Sequence, residues 1–288
     1  MGFNSVDDVF QIAQNGQLVT VPFYRVMPST TTANFPHTMY TSTGFPIFGA
    51  TTGIYPAVSK TAQILSQSNT GSIPFPKAGT GMSNHLVGWS ATPNSQGGTF
   101  MLVDRIVQCQ LSQSETNGSF TGFSAVDRLS PIGYPGSGAQ IWCEVSNVFG
   151  GARTIFYFTY TNQDGTGSRT TPQILTRPLA VVGSSILQTS GTFIPLQDSD
   201  TGVRSIESIT MVSASGPTTG RFCAALVKPI AFLSYNQNAT GVANHETDFV
   251  TQIPAPEEIH DDAFLTFISW ITAAATYSIL GQLRFAAK

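Results

Sequence analysis

Residues 99–111 read TFMLVDRIVQCQL, and residues 138–147 and 152–161 read GAQIWCEVSN and ARTIFYFTYT. These stretches are rich in β-branched and aromatic residues, and apolar side chains alternate with polar ones over several positions. Such alternation is typical of β-strands, and none of the three stretches keeps a helical period. Asn162-Gln163-Asp164-Gly165 closes the third stretch with turn residues. The pattern therefore predicts β-strands joined by turns.

The same pattern continues to about residue 235. Further strand-like runs occupy residues 191–197, 203–215 and 221–233, with turn residues between them. Many short strands with regular turn signals are typical of a sandwich or a jelly roll. The chain is therefore predicted to be all-β, with a jelly-roll-like β-sandwich domain at residues 99–235.

Three further segments are predicted outside this domain. Residues 1–27 are expected to form a helix-strand arm that docks on another surface, because a Ser5–Asp8 capping box precedes an apolar stripe. Residues 28–98 are expected to be a long irregular excursion, dense in Pro, Gly, Ser and Thr but pinned by aromatic anchors. Residues 236–288 are expected to be a linker and a C-terminal β-hairpin. Polar residues interrupt its apolar run, which argues against a membrane helix.

Charge is the strongest compositional anomaly of the chain. Only 10% of the 288 residues are charged, against roughly 25% in an ordinary soluble domain. A surface with few ions packs against other proteins at a low desolvation cost, and interface cores are depleted in charge. The composition therefore favours a protein that other proteins cover. The alternative is a monomer with an uncharged polar surface.

Two classes of partner are not expected. The 13 Lys and Arg residues are scattered singly and the net charge is -3, so no patch would neutralise a nucleic-acid or membrane surface. No secretory signal precedes the sequons at Asn117 and Asn238. Cys109, Cys143 and Cys223 form no C-x-x-C pair, and we expect buried free thiols, which suits a reducing compartment.

The stretch Asp198-Ser199-Asp200-Thr201-Gly202 looks like the opening of a calcium-binding loop. A loop of the EF-hand type needs an oxygen ligand at its fifth position and a Glu at its twelfth, where this chain has Gly202 and Ile209. The same residues suit a turn in which the Asp side chains bind backbone amides and Gly202 supplies a positive φ. A turn is predicted, and no metal or cofactor is expected.

The sequence offers no recognisable catalytic constellation. The histidines are far apart in the sequence, at His37, His85, His245 and His260. No G-x-S-x-G elbow, P-loop or dinucleotide fingerprint is present. The acidic clusters at residues 245–248 and 257–262 are expected to be solvated loops or interface contacts. The chain is not expected to be an enzyme, although a pair of carboxylates brought together in space for glycoside hydrolysis stays open.

Several stretches resemble a group of structural proteins encoded in the head-gene regions of tailed bacteriophages. The resemblance covers the N-terminal arm and most of the chain beyond residue 100. It rests on MGFNSVDDVFQ at the start, MLVDRIV (Met101–Val107), GAQIWCEVSNVFGG, YTNQDGTGSRTT, FIPLQDSDTGVRSIESITMVSASG, AALVKPIA and TQIPAPEEIHDDAFL. It implies a virion component that coats or cements the head, and no catalytic residues come with it.

The expected function is therefore that of a capsid decoration, cement or minor capsid protein. Its expected partners are the major capsid protein of the same virus and copies of itself, in a homo-oligomer such as a trimer. Its expected location is the capsid surface, after synthesis in the cytoplasm of a host bacterium. The candidate interface residues are Phe3, Val9, Phe10, Phe23, Tyr24, Phe45, Phe48 and Tyr55.

The alternative is a carbohydrate- or receptor-binding module associated with a tail or another surface. Jelly-roll sandwiches often bind sugars, and Trp89, Trp142 or Trp270 could offer a stacking face. Large aromatic side chains are more often core or subunit-interface residues, which favours the structural role.

Overall fold

The computed structural model describes most of the chain. It covers residues 6–27, 33–40, 42–45, 55–94, 98–113, 118–123, 136, 138–151, 153–178, 180, 182–188, 191–215, 220–235, 245–248, 258–272 and 277–288. These residues form one helix, α1 (Val6–Gln14), and seventeen strands in three antiparallel sheets. The prediction of an all-β sandwich is confirmed. Within the same residues no helix is long and apolar enough to span a membrane.

A central sheet connects the two halves of the molecule. Its strand order is β2 (Pro36–Thr38), β16 (Leu265–Ile271), β6 (Gly98–Ser112), β13 (Arg221–Tyr235) and β8 (Gln140–Asn147), with β4 (Gln63–Ile64) also paired to β6. The strands β6 and β13 have 15 residues each and pair along their whole length. At about 3.3 Å per residue they span roughly 50 Å, which lets one face of the sheet cover two separate cores.

The first core lies between the central sheet and a sheet that contains both terminal strands, called here the terminal sheet. Its strand order is β14 (His245–Asp248), β5 (Asn84–Pro93), β17 (Ser278–Ala287), β1 (Leu18–Val26) and β3 (Thr43–Phe45), with β15 (Glu258–Ile259) also paired to β5. The Trp89 ring of this sheet stacks on Phe267 of the central sheet at 5.2 Å, and Phe23 and Phe285 are buried beside them.

The second core lies under the other half of the same face. The sheet that covers it has the order β10 (Arg169–Thr170), β9 (Arg153–Asn162), β12 (Val203–Ser215) and β7 (Gly118–Ser119), with β11 (Ile174–Leu175) also paired to β9. Phe156 and Phe158 of this sheet pack against Phe222, Leu226 and Cys143 of the central sheet. Stacked sheets with apolar side chains between them are the sandwich arrangement that the alternating pattern predicts.

The predicted excursion covers the opposite face of the central sheet. Its anchors Tyr40 and Tyr55 contact each other edge to face at 5.6 Å, next to Leu65 and Phe264. The prediction of irregular structure is wrong for residues 84–93, which form β5. Nearly every residue of β5 is buried, so its sequence lacks the alternation that marks a half-exposed strand.

Two predictions about the chain ends need correction. Residues 18–26 are not an arm separate from the β-sandwich but one of its strands, because β1 pairs with β17 over nine positions and with β3 on its other side. The C-terminal strands do not form a hairpin: β16 belongs to the central sheet and β17 to the terminal sheet. The apolar run that suggested a hairpin instead supplies one strand to each layer of a sandwich.

Candidate functional site

The acidic turn at residues 198–202 is held by hydrogen bonds to Asp200. Its carboxylate accepts from the Tyr160 hydroxyl at 2.6 Å, from Asn162 Nδ2 at 2.8 Å and from Arg169 Nε at 2.9 Å. Burial alone would raise the pKa of Asp200, but these donors, Arg169 above all, more than offset it and lower the pKa to about 2. A carboxylate surrounded by donors and a guanidinium is a poor cation ligand, so the structure supports the turn interpretation.

One detail of the predicted turn is wrong. The residue with a positive φ is Ser199, at 70°, and not Gly202. Gly202 is required for space, because a side-chain carbon there would overlap the backbone carbonyl oxygen of Gly136.

A buried ion pair lies between the central sheet and the excursion. The Arg105 guanidinium on β6 donates to Glu144 Oε1 on β8 at 2.8 Å, and both side chains are almost fully buried. The Tyr55 hydroxyl donates to the same oxygen at 2.9 Å, and the Trp142 indole N–H donates to Oε2. Each carboxylate oxygen therefore has a donor that compensates for lost water.

The guanidinium of Arg105 also has partners on every side. Its Nε donates to Gln108 Oε1 at 2.9 Å, one terminal nitrogen donates to Cys223 Sγ at 3.1 Å, and its carbon lies 4.3 Å from the Tyr40 ring centre. Burial alone would lower the pKa of Arg105, but the charge of Glu144 raises it above its ordinary value. Burial, followed by the charge of Glu144, raises the pKa of Tyr55 well above its usual range.

This network fixes structure and leaves no room for a substrate. The Arg105 and Glu144 side chains are closed to solvent, and Tyr40 and Tyr55 from the excursion complete their contacts. Sequence reasoning missed the pair, because Glu144 is 39 residues from Arg105 and lies across β13 from it.

The described histidine side chains lie apart from one another, in structural positions. His37 and His85 are buried in different sheets, and His260 Nδ1 accepts from the Asp262 backbone N–H at 3.1 Å. Asp261 Oδ1 accepts from the Ala78 N–H at 2.9 Å. No group of three His, Cys, Asp or Glu side chains that could hold a metal ion occurs among the described residues.

The acidic cluster at residues 245–248 is not a solvated loop, which was one of its two predicted states; the other, an interface contact, stays a prediction. The cluster forms the strand β14, and the carboxylate of Glu246 accepts from Arg284 of β17 at 2.8 Å.

The cysteines and two of the three tryptophans lie where the prediction of core residues places them, whereas Trp270 is only partly buried. Cys109, Cys143 and Cys223 are free and buried, and burial raises the pKa of Cys143 well above its usual range. Trp89 and Trp142 are completely buried. They cannot form the sugar-stacking face considered for the alternative function.

A cavity of about 300 Å³ lies beside β11 at the edge of the second core. It is bordered by Pro172, Gln173, Ile174, Leu175, Leu187, Gln188, Gly191, Phe193 and Pro195. None of these side chains titrates near neutral pH, so the cavity offers shape and apolar surface but no acid, base or nucleophile.

The predicted interface residues fall into three groups. Phe3 and Phe48 lie outside the described residues, and Val9 and Phe10 belong to α1, where their side chains are not described. The prediction is wrong for Phe23, which is buried in the first core; Tyr55 is partly buried, its hydroxyl contacts the buried ion pair, and its role at an interface stays a prediction. Tyr24 and Phe45 are surface residues and remain candidates for a protein contact.

Tyr24 and Phe45 belong to one exposed row on the outer face of the terminal sheet. Tyr24 of β1 lies directly opposite Phe45 of β3 on one side and Leu280 of β17 on the other. Directly paired residues of antiparallel strands point to the same face, and the three side chains are 41%, 55% and 57% exposed. We call Phe45, Tyr24 and Leu280 the apolar row. Leu280 was missed by the sequence analysis, which assigned its strand to a hairpin.

The rest of this outer face is closed or neutral. Helix α1 covers its far end, where Ile12 packs on Val87 and Ala286. Between the helix and the apolar row, Arg284 pairs with Glu246 at 2.8 Å. A partner that covers the apolar row therefore meets a compensated ion pair beside it, which suits a protein contact.

No protein-family model matches the chain, and no curated protein gives a significant match. Weak similarities exist to solved structures of infectious bursal disease virus. The VP2 subviral particle has 11% identity and a TM-score of 0.18, over 93% of this chain and 80% of that one. The structure of the Gt strain has 10% identity and a TM-score of 0.18, over 94% and 80%. The derived T=1 particles have 12% identity and a TM-score of 0.17, over 93% and 77%. TM-scores this low do not establish a common fold, so the function has to be judged from the residues of this chain.

Proposed function

We propose that this chain is a structural protein of a virus particle, a decoration or cement protein that stabilises a bacteriophage head through protein–protein contacts. The observation that carries the proposal is the apolar row, which lies open on a sheet face beside the Arg284–Glu246 ion pair. Exposed contiguous apolar side chains on an otherwise polar surface mark sites of association.

The composition supports the same proposal. With 10% charged residues, the chain presents a polar surface from which few ions must be desolvated on contact with other proteins. The resemblance to head-region proteins of tailed phages points to a shell as the partner. We propose the outer surface of the head as the location, and the major capsid protein as the main contact.

The role of the polar interior agrees with a structural and non-enzymatic function. The Arg105–Glu144 pair is buried beneath the excursion, and the Asp200 carboxylate accepts hydrogen bonds from its neighbours. Both arrangements stabilise long connections on a β scaffold, and neither presents a reactive group to solvent. We therefore propose that the protein acts by binding and not by catalysis.

The test is a comparison of particles made with and without this gene. We expect particles that lack the protein to assemble but to lose their genomes at a lower temperature, and we expect added purified protein to restore the lost stability. Particles that are unchanged by the deletion, and that do not bind the purified protein, would overturn the proposal. Added ovalbumin, which is soluble and acidic, serves as the control for non-specific binding.

A second candidate function is a carbohydrate- or receptor-binding module. The observation that favours it is the pair of exposed rings, Tyr24 and Phe45, on adjacent strands of a sheet face. Aromatic faces can stack on sugars, although the buried Trp89 and Trp142 are not available for this. Binding to a glycan array that is lost in Tyr24→Ser, together with no binding to heads, would favour this candidate.

A further inference from the structure

We propose that Arg177 is a binding site for a carboxylate of the partner protein, an Asp or Glu side chain on the shell that this chain contacts. The inference rests on the proposed assembly role and names the chemistry of one contact. Three observations support it: the burial of Arg177, the few contacts of its guanidinium and the contrast with Arg105.

Arg177 follows the short strand β11 in an extended segment. Its backbone N–H donates to the Ile186 carbonyl oxygen at 2.8 Å, and the preceding residue, Thr176, forms an isolated bridge with Leu187. This backbone fixes the start of the side chain, and the residue is only 9% exposed. An arginine in this position can be reached from the surface but has lost most of its water.

The guanidinium of Arg177 has few partners to compensate for its burial. Such a group carries five N–H donors. One terminal nitrogen donates to the Ser184 hydroxyl at 2.7 Å, and the guanidinium carbon lies 4.0 Å from the centre of the Phe35 ring. The Nε atom is closed to solvent and has no hydrogen-bond acceptor among the described residues. The ring offsets part of the charge, but the N–H edge of the group stays unsatisfied.

Arg105 shows how this chain buries a guanidinium that serves the structure. Arg105 has the Glu144 carboxylate at 2.8 Å and an acceptor for its Nε on Gln108. Arg177 has no carboxylate partner within the described part of the chain, and burial lowers its pKa with no opposite charge to raise it. An uncompensated buried charge is costly for the fold. Groups that cost stability are typical of functional sites.

The surroundings of Arg177 suit a carboxylate better than other anions. The planar guanidinium donates two parallel hydrogen bonds to a carboxylate, and the Phe35 ring on one of its faces excludes water and so strengthens the attraction. Nucleic acids and phosphate-rich surfaces are bound by clusters of basic residues, whereas the 13 Lys and Arg of this chain are scattered singly. A single cation of this kind matches one acidic side chain in a protein interface.

The first experiment measures the binding of acetate, the simplest carboxylate, to the purified full-length protein. Thermal unfolding is followed at pH 7 in sodium acetate and in sodium chloride of equal concentration. Acetate should raise the unfolding temperature of the wild type by about 2 °C more than that of Arg177→Met, which keeps an apolar stem but no charge. The control Arg221→Met removes an exposed arginine and should respond to acetate as the wild type does.

The stability of Arg177→Met in chloride separates a binding site from a structural tie. The substitution removes a buried charge that has no counter-ion, so the variant should be at least as stable as the wild type. A marked loss of stability or a failure to fold would overturn the inference. Equal responses of the wild type and Arg177→Met to acetate would also overturn it.

Binding to purified heads connects the site with the proposed function. Arg177→Met should bind heads about tenfold or more weakly than the wild type, and Arg221→Met should bind them equally well. Unchanged head binding in Arg177→Met would overturn this inference alone. A wild type that responds to acetate through Arg177 but does not bind heads would overturn only the proposed function.

Discussion

Arg105 and Glu144 form a 2.8 Å ion pair that reaches across β13, and both side chains are closed to solvent. The pair joins the central sheet to the excursion, because Tyr55 donates to Glu144 and the ring of Tyr40 lies on Arg105. The excursion, which the sequence predicted to be irregular, is thus held against the central sheet by a fully hydrogen-bonded ion pair.

Glu144→Gln should destabilise the protein strongly. The substitution keeps the size of the side chain but leaves the buried guanidinium of Arg105 without its opposite charge, which costs about 3–5 kcal/mol in the free energy of unfolding. Tyr55→Phe removes one hydrogen bond and should cost about 1 kcal/mol. Urea unfolding followed by fluorescence measures both values.

The control for this prediction is Asp262→Asn, the same change at an exposed ion pair. The Lys77–Asp262 pair is 2.9 Å long, but its side chains are 60% and 53% exposed. Solvent screens such pairs, so we expect no measurable change in stability. Equal effects at Glu144 and Asp262 would contradict the assignment of the buried pair as a structural tie.

Acid should weaken the turn at Asp200. The pKa of Asp200 is lowered from 3.8 to about 2, so the folded state binds a proton here less readily than the unfolded state does. The stability that this group contributes is therefore fully present above pH 4 and is lost as the pH falls from about 4 to about 2. Asp200→Asn should remove this part of the pH dependence and cost about 2 kcal/mol at neutral pH.

The measurement is the free energy of unfolding of the wild type and the variant from pH 2 to pH 7. Asp164→Asn in the nearby β9–β10 turn is the control, because the Asp164 carboxylate accepts an exposed hydrogen bond from its neighbour Gln163 at 2.9 Å. A wild type and an Asp200→Asn variant with parallel pH curves would show that the Asp200 contacts do not stabilise the fold.

Truncation of two adjacent side chains of β1 should change the stability of the protein to very different extents. Phe23 is buried in the first core and its ring lies 4.8 Å from that of Phe267, so Phe23→Ala should cost about 3–5 kcal/mol. Tyr24 faces outward, and Tyr24→Ala should change the stability of the monomer by less than about 1 kcal/mol. Thermal unfolding at a low protein concentration tests both. A large loss of stability in Tyr24→Ala with little loss in Phe23→Ala would contradict the assignment of the buried and exposed faces of β1.

The three cysteines should be unreactive in the folded protein. All are buried, and burial raises the pKa of Cys143 well above its usual range and that of Cys223 to about 12, so little thiolate forms at neutral pH. Ellman's reagent should detect no thiol in the native protein and three in denaturant. Rapid modification of even one native thiol would contradict the described packing.

Local sequence patterns predicted the all-β fold class and the burial of the three cysteines. The strands β8, β9 and β12 lie where the sequence predicts strands, and β9 shows the predicted alternation of buried and partly buried residues. The Asp200 turn also follows from local chemistry, because the spacing in the sequence rules out an EF-hand loop. The predictions that failed concern pairings between strands that are far apart in the sequence. The apolar run that became β16 and β17 has the same pattern whether its strands pair with each other or cross to different layers.

The candidate surface was predicted only in part, for the same reason. Alternation in β1 cannot tell which parity faces outward, so Phe23 and Tyr24 were both included although only Tyr24 is exposed. Leu280 belongs to the apolar row only because β17 pairs with β1. The two strands are far apart in the sequence, so no local pattern predicts this pairing. The buried Arg105–Glu144 pair is hidden in the sequence in the same way.

The most direct test of the proposed function is to count this protein in purified virus particles. Quantitative mass spectrometry of particles made from a genome that encodes it, together with a particle map, gives its copy number per shell subunit and its place. The account predicts a fixed ratio to the major capsid protein and density for this β-sandwich on the head. Complete absence from particles, with the protein recovered only as a free soluble species, would contradict it.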